Sequence, residues 1–411
     1  MSVSACLAPV MWQEPITPAL LAGTPFNCLV MDPAAKRPGQ AAVREARQVG
    51  LEVVALDAAP AEVLGDCSWP RVATGGKDGA GAGPTGLPWI ESNGWRVRLA
   101  RAKTPDGDIW LRYGKLPEKT ALPLSPESYA LAVADAAAHG GIWVVELDGE
   151  LRRRMAAGEP PAVETWRRLA ASAAFFARHK AWAAMPPQGM LGVISDFAGA
   201  NEFIAGELLN LLARRQVGYR IILSRLASLA ATQGLSALLY AAQSAPAGEV
   251  LGVLISFARA GGLAILPAAA AASVPPGPVE PDAQAGFQVR GVGQGRLAVA
   301  RENWDDPYTL ARDVHMLISR RHDHLHLYNA PSINSYSTVA AGGGAVVHLL
   351  NYSLRPPASP VTLAVRTRYR QARLWILGAG EPAALDASTE GDWLEMPLPP
   401  FSVYAAVELR A

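Results

Sequence analysis

The run RRHDHLHLYN, from Arg320 to Asn329, places three imidazoles at alternate positions, His322, His324 and His326, with Asp323 between the first two. Alternate residues of a β-strand share one face. The spacing therefore raises a zinc site of the His-x-His kind, with His315 upstream and His348 downstream as further ligands. Geometry argues against it. Same-face neighbours stand roughly 7 Å apart along a strand, so the first and third imidazoles cannot share an ion without a bulge. His322 also lies beside the end of a predicted helix. No metal and no other cofactor is expected. The alternation reads as a strand with Leu325 and Leu327 inward and His324 and His326 outward.

Carboxylates offer a second chemistry. Glycosidic bonds are hydrolysed between two carboxyl groups, roughly 5 Å apart in retaining enzymes and roughly 6.5–9.5 Å apart in inverting ones. Parallel α/β folds present such groups at C-terminal strand ends. Asp32, Asp57, Glu91, Glu146 and Asp148 fit that position. Glu91 is the first choice as catalytic carboxylate, because it follows Trp89 in PWIES and an indole face suits a sugar ring. Asp32 is its chosen partner. Trp89, Asn93, Arg112, Tyr113, Glu146 and Asp148 are the substrate-binding candidates. Each also has a structural use: acids and Asn cap helix starts, and Trp and Tyr fill cores.

The elements that must hold these residues follow from periodicity. FNCLVMD, the helical GQAAVREARQVG and LEVVALD form a βαβ unit with parallel strands. KDGAGAGPTG is a loop by composition. Asn93 can cap a predicted helix in NGWRVRLARAKTP, with Trp95, Leu99 and Ala102 on one side; DIWLRYG is a strand, and SPESYALAVADAAAHG carries an N-cap Ser125, Pro126 at N1 and a closing Gly. GIWVVELD is a strand, and a long amphipathic helix covers residues 163–179. After Met185-Pro186-Pro187 a new βα series begins, with strands GMLGVISD, YRIILS, SALLYA and LAIL, and helices over 201–215 and 248–262. PAAAAASVPPGPVEPDAQAG is a low-complexity loop or linker. GQGRLAVA is a strand and DPYTLARDVHMLISR a helix. The GVGQG turn precedes a strand, whereas a dinucleotide fingerprint follows one. Beyond Asp323 the pattern is short alternating runs broken by Pro and Gly, the signature of an antiparallel sandwich.

Composition bounds the classes. The chain has 411 residues, 50% of them apolar and 18% charged, with a net charge of +1. Two or three domains fit that length. No basic stripe suggests nucleic acid, and no apolar stretch reaches membrane-spanning length. The three cysteines, Cys6, Cys28 and Cys67, sit early and outside any CxxC spacing. A disulfide framework is not expected, and the count suits a reducing compartment. The N-terminus lacks the basic region of a signal peptide. The expectation is a cytoplasmic protein that binds neither nucleic acid nor membrane.

The order parallel α/β, small doubly wound α/β, then β-sandwich resembles clan-A glycoside hydrolases of the family 42 β-galactosidase type. LGVISDFAGANEFIAGELLNLLARRQVGYRII, GQGRLAVARENWDDPYTLARDVHMLI, AVVHLLNYS and PFSVYAAVEL carry the resemblance. It implies an α/β fold in three parts: a (β/α) barrel over residues 1–184, a flavodoxin-like, glutamine-amidotransferase-like domain over 185–321, and a C-terminal β-sandwich over 322–411. The barrel must be shortened or degenerate, since a full (β/α)8 barrel takes about 250 residues. The family's acid/base sits in an Asn-Glu pair ending a barrel strand. The pair here is Asn201-Glu202, at a helix start in the middle domain, where it reads as a capping pair. The family's catalytic residues do not carry over. Glutaminase chemistry is excluded as well, since no Cys follows Cys67. The resemblance implies a carbohydrate partner and a homo-oligomer built through the middle domain. The functional expectation is a glycosidase working by carboxylate acid/base chemistry; the alternative is a non-catalytic relative that binds sugar or serves in assembly.

Overall fold

The computed structural model describes residues 8–14, 18–34, 40–73, 88–114, 124–281, 286–318, 323–340, 342–366 and 368–411. The KDGAGAGPTG loop and His322 lie outside them.

The first part is a mixed α/β unit. Its elements are β1 (Pro9–Met11), β2 (Cys28–Met31), α1 (Gln40–Gln48), β3 (Glu52–Ala55), β4 (Ala61–Cys67), β5 (Arg71–Val72), β6 (Ile90–Glu91), α2 (Gly94–Lys103), β7 (Asp108–Tyr113), α3 (Pro126–Ala137), β8 (Ile142–Trp143), α4 (Gly149–Ala156), α5 (Pro160–Arg178) and α6 (Lys180–Ala183). Strands β1-β2-β3 form one parallel sheet and β4-β7-β8 another. A parallel bridge from Val10 to Val145 joins them edge to edge. No ladder links β3 to β4 among the described residues, so no closed barrel forms. The sheet nevertheless curls. One small cluster collects Met11, Cys28, Val30, Val54, Val63, Trp110 and Val144, side chains from every strand including both edges. Trp110, 0% exposed, plugs the inside. The opposite face of the strands packs on the helices. The short connection from β3 through residues 56–60 ties the two edges covalently where hydrogen bonds do not.

The expected elements of this part form largely as the periodicity predicts, and Ser125 caps α3 by accepting from Ser128 N at 3.2 Å. Two expectations need correction. β6 pairs antiparallel with β5 in a small separate sheet, so PWIES is not a parallel strand. Cys28 is disulfide-bonded, so the cysteines are not all free thiols. Buried Cys67 is free, and burial pushes its thiol up to about 12.

The middle part contains β9 (Leu191–Ser195), α7 (Glu202–Arg214), β10 (Tyr219–Leu223), β11 (Ala237–Tyr240), α8 (Gly248–Arg259), β12 (Leu263–Leu266), β13 (Phe287–Val292), β14 (Gly295–Ala300) and α9 (Pro307–Ile318). The sheet order is β10-β9-β11-β12-β14-β13, parallel except for the edge strand β13. Helices α7 and α9 cover one face and α8 the other, a doubly wound arrangement. GVGQG is the β13–β14 hairpin. Gly293 has φ +60°, and a Cβ on Gly295 would stand 2.2 Å from Ala258 O. These glycines let the hairpin pass close to the end of α8, which is a packing role and not a phosphate loop.

The last part holds β15 (Leu325–Tyr328), β16 (Ile333–Val339), β17 (Ala345–Asn351), β18 (Val361–Arg366), β19 (Gln371–Ile376), β20 (Ala383–Ala384), β21 (Ser388–Glu390), β22 (Trp393–Leu398) and β23 (Tyr404–Arg410). The sheets β15-β18-β22-β21 and β16-β17-β23-β19-β20 face each other across one core. β17 is buried on both faces: Val347 and Leu349 enter the sandwich core, while Val346 and Leu350 pack on α3 and α5. No helix among the described residues is long and apolar enough to cross a membrane.

Asp135 on α3 ties the first part to the sandwich. It is 0% exposed and accepts from Asn93 N, from Asn93 Nδ2 at 2.8 Å and from Tyr352 Oη at 2.6 Å. Burial pushes its carboxyl up to about 6, although the bonds from Tyr352 and Asn93 pull the other way. The folded chain therefore holds this proton to higher pH than the unfolded chain. Its contribution to stability falls as pH rises from about 4 to about 6, by on the order of 2–3 kcal/mol. Asp135→Asn should lower stability overall, because its amide would face hydrogen-bond donors, yet flatten this segment of the profile. Chemical unfolding of both proteins across that pH range checks it; parallel profiles would show that Asp135 does not titrate there.

Candidate functional site

The C-terminal ends of the curled strands hold the charge cluster. Asp32 shares its face with Cys28 and Val30, Arg112 with Trp110, and Glu146 with Val144, because side chains alternate along a strand. All three thus stand one layer above the apolar plug. Arg112 Nη2 meets Asp32 Oδ2 at 2.8 Å, and Arg112 Nε meets Glu146 Oε1 at 2.8 Å. The side chains are 34%, 15% and 27% exposed in the order Arg112, Asp32, Glu146. Burial alone would lower the Arg112 pKa; Glu146 and then Asp32 outweigh it, and the net shift is upward. One guanidinium therefore serves two carboxylates, Glu146 from the adjacent strand end and Asp32 from across the curl.

Gln13, which sequence reasoning passed over, fixes the backbone beside Glu146. Its Oε1 accepts from Leu147 N at 2.8 Å and its Nε2 donates to Leu147 O at 3.2 Å. It extends the β1–β8 contact by one rung using a side chain. Only its place two residues after Met11, on the same strand face, could have signalled this.

The other candidates go elsewhere. Glu91 stands on the antiparallel β5–β6 pair and takes Arg71 as partner at 2.8 Å. It and Asp32 belong to different sheets with different cations, so the structure does not unite the pair chosen from sequence. Trp89 lies under the Arg214 guanidinium, 4.5 Å from its ring centre. Asn93 is 1% exposed and makes no capping bond to α2; it binds Asp135 and Ser68 instead. Tyr113 is 4% exposed and donates to Ala132 O at 2.8 Å. Asp148 caps α4 through Leu151 N at 2.9 Å and accepts from Tyr129 Oη at 2.6 Å. Asp57 is exposed. Asn201 precedes α7 as expected but makes no capping bond, and its amide binds Asp196 Oδ1 at 3.0 Å.

The histidine run separates too. Leu325 and Leu327 are buried as the alternation predicts. His326, half-buried, stacks on Trp393 at 4.5 Å, and Asp323 lies 3.2 Å from His315 Nε2 and 3.7 Å from His326 Nε2. Among the described residues no group of three or more His, Cys, Asp or Glu is placed to hold a metal ion.

No family model matches the chain, and no curated protein sequence matches it. Solved structures do. Alpha-L-fucosidase isoenzyme 2 from Paenibacillus thiaminolyticus aligns with a TM-score of 0.54 at 10% identity, covering 96% of this chain and 78% of that one. A rhamnosidase from Novosphingobium sp. PP1Y aligns at 0.51 and 12% identity, covering 89% and 38%. The fold is glycoside hydrolase-like. At such identities the likeness concerns fold alone, and this chain spans well under two thirds of the rhamnosidase.

The shared cation makes a testable coupling. Arg112→Met should leave two half-buried carboxylates facing each other and cost on the order of 1 kcal/mol at pH 7, a figure kept small by solvent screening. Glu146→Gln in the Arg112→Met background should restore part of that loss. A double-mutant cycle in urea unfolding measures the coupling; simple additivity would mean that the three side chains do not act as a unit.

Proposed function

We propose that the chain is a carbohydrate-binding relative of glycoside hydrolases, with the Asp32–Arg112–Glu146 cluster as its sugar contact. The supporting observation is the commitment of both strand-end carboxylates to one guanidinium. Each carboxylate is engaged by the same guanidinium at 2.8 Å, so neither stands free across an open cleft as a separate acid and nucleophile would. Carboxylate and guanidinium groups with partial exposure are good acceptors and donors for sugar hydroxyls. The family 42 type of architecture, with an amidotransferase-like middle domain, belongs to the same reading.

The rival reading, hydrolysis, is favoured by one observation: two carboxylates at parallel strand ends converge on a single side chain, and a glycosidase needs two carboxyl groups at one site. A single experiment separates the two. Wild type, Asp32→Asn and Glu146→Gln are assayed against a panel of aryl glycosides, and the free sugars are titrated by calorimetry. The expected outcome is no turnover above the uncatalysed rate, and millimolar or tighter binding of one sugar that weakens roughly tenfold in each variant. Turnover that disappears in both variants would replace binding with hydrolysis.

A further inference from the structure

On the opposite face of the curled sheet, at the N-terminal ends of the same strands, lies a cavity of about 940 Å³. That size is within the usual range of small-molecule sites. All three parts of the chain line it: α2, α3, α5 and α6 from the first, Arg220 on β10 from the second, and Tyr336 and His348 from the sandwich.

Its polar groups are left wanting. His348 is 1% exposed; its Nδ1 pairs with Tyr404 Oη at 2.7 Å, and its Nε2 has no partner. Trp143 is 4% exposed with an unpartnered Nε1, and Arg220 Nε is unpartnered as well. These three atoms have almost no water-accessible surface and lie behind the wall of the cavity, so the case for an occupant rests on the charge and shape of the wall. Burial keeps His348 neutral, pushing its pKa down to about 3, so Nε2 waits as a neutral group.

Charge and shape say what the occupant is. Arg98, Arg101, Lys180 and Arg220 line the cavity against a single carboxylate, Asp108. None of these cations has a carboxylate partner among the described residues; the three arginines donate to backbone carbonyls such as Tyr219 O, Gly140 O and Gln233 O. An excess of positive charge without internal anions favours an anionic ligand. Among the mostly aliphatic apolar residues of the wall stand the aromatic side chains Phe176, Trp143, Trp182 and Tyr336. Trp182 stacks on His179 at 4.0 Å, and Tyr336 packs against both His139 at 4.7 Å and His348 at 5.7 Å, so these rings are held rigidly. Rigid aromatic faces suit a flat or chair-shaped ring.

We propose that this cavity binds a small carboxylate carried on a six-membered ring. The carboxylate meets the arginines that lack an acidic partner, with Arg220 foremost, and the ring lies against the aromatic side chains of the wall. A sugar acid and an aromatic acid both have this chemistry. The site is independent of the strand-end cluster, which lies on the other face and uses none of these residues.

The test is calorimetric titration of the full chain with glucuronate, benzoate and glucose, repeated with Arg220→Gln and with Ala137→Phe, which fills the cavity from α3. Expected is saturable binding of glucuronate or benzoate, with glucose at least roughly tenfold weaker, a loss of roughly tenfold in Arg220→Gln and no binding in Ala137→Phe. The tighter of the two acids identifies the source. Circular dichroism melts confirm that both variants fold; a variant that does not fold is replaced by Arg101→Gln, for which the same loss is expected. Binding unchanged in the folded variants, no binding of either acid at about 10 mM, or a crystal structure with only ordered water in the cavity would overturn the assignment. Neutral sugar binding at the strand ends is read in the same titrations. Its failure with the carboxylate retained removes only the strand-end reading, and the converse removes only this one.

Discussion

The buried carboxylate of Asp135 is the constraint on which the assembly rests. An ionisable group with no solvent contact costs several kcal/mol unless donors surround it. Here the donors come from two distant stretches: Asn93, just before α2, and Tyr352, just beyond β17. Asn93 in turn holds Ser68 at the end of β4. The apolar contact of the sandwich with α3 runs through Ala130, Leu131 and Ala134, and with α5 through Phe175, and such contact is not directional. Directional bonds to one carboxylate set a register that apolar burial leaves loose. The buried node is thus better understood as a device for specificity than as a source of net stability.

From that register follow two unlike ends of one sheet. The strand ends at the C-terminal side carry Asp32, Arg112 and Glu146, whose charges satisfy one another. The N-terminal side carries cations held by backbone carbonyls and, for Arg98, by the Tyr219 and Tyr336 rings, with no acidic partner among the described residues. The difference arises from packing. At the C-terminal side the curled strands bring three charged side chains within reach across their own ladder. At the N-terminal side the neighbours are other parts of the chain, and three rounded cores meeting at one place leave a wedge. Protein interiors are packed as densely as organic crystals. A wedge of this volume lined with Trp, His and Arg is therefore a feature to be explained by what it holds, not by poor fit.

Local structure was legible in the sequence wherever one rule decided it. The Ser125-Pro126 start of α3, Gly50 after α1 and the alternation of Leu325 and Leu327 all gave the observed element. What could not be read was partnership between distant strands. Glu91 has the same local signs as Asp32, a carboxylate ending a short apolar run. Its strand, however, pairs antiparallel with Arg71–Val72 in a small side sheet, a fact set by chain folding over many residues. Asn93 occupies the capping position of α2, yet tertiary donors and acceptors outbid the helix for its amide. β1, β4 and β13 escaped notice because their short or polar-interrupted runs, PVM, AEVLGDC and FQVRGV, lack clean periodicity; pairing with neighbours creates them. Of the residues singled out at the candidate site, the structure unites Asp32, Arg112 and Glu146. Their carboxylate and guanidinium types were readable, and their mutual pairing was not.

The curl without closure bears directly on function. In a closed barrel each strand has two neighbours, and the interior is sealed by side-chain layers. Here no ladder joins β3 to β4 among the described residues; their side chains pack in one cluster around the buried Trp110. Fewer strands mean a narrower mouth, so charged side chains projecting from it are forced together. Asp32 and Glu146 could stand apart, on opposite sides of a substrate, only in a wider barrel. In the narrow one, two like charges so close need a cation between them, and Arg112 fills that place. The ion triad is therefore the electrostatic consequence of the strand count. A sequence that dropped barrel strands and kept strand-end acids would have to acquire such a cation or lose the acids. On this argument the shortened sheet itself, more than any single substitution, brings the two strand-end acids onto one cation.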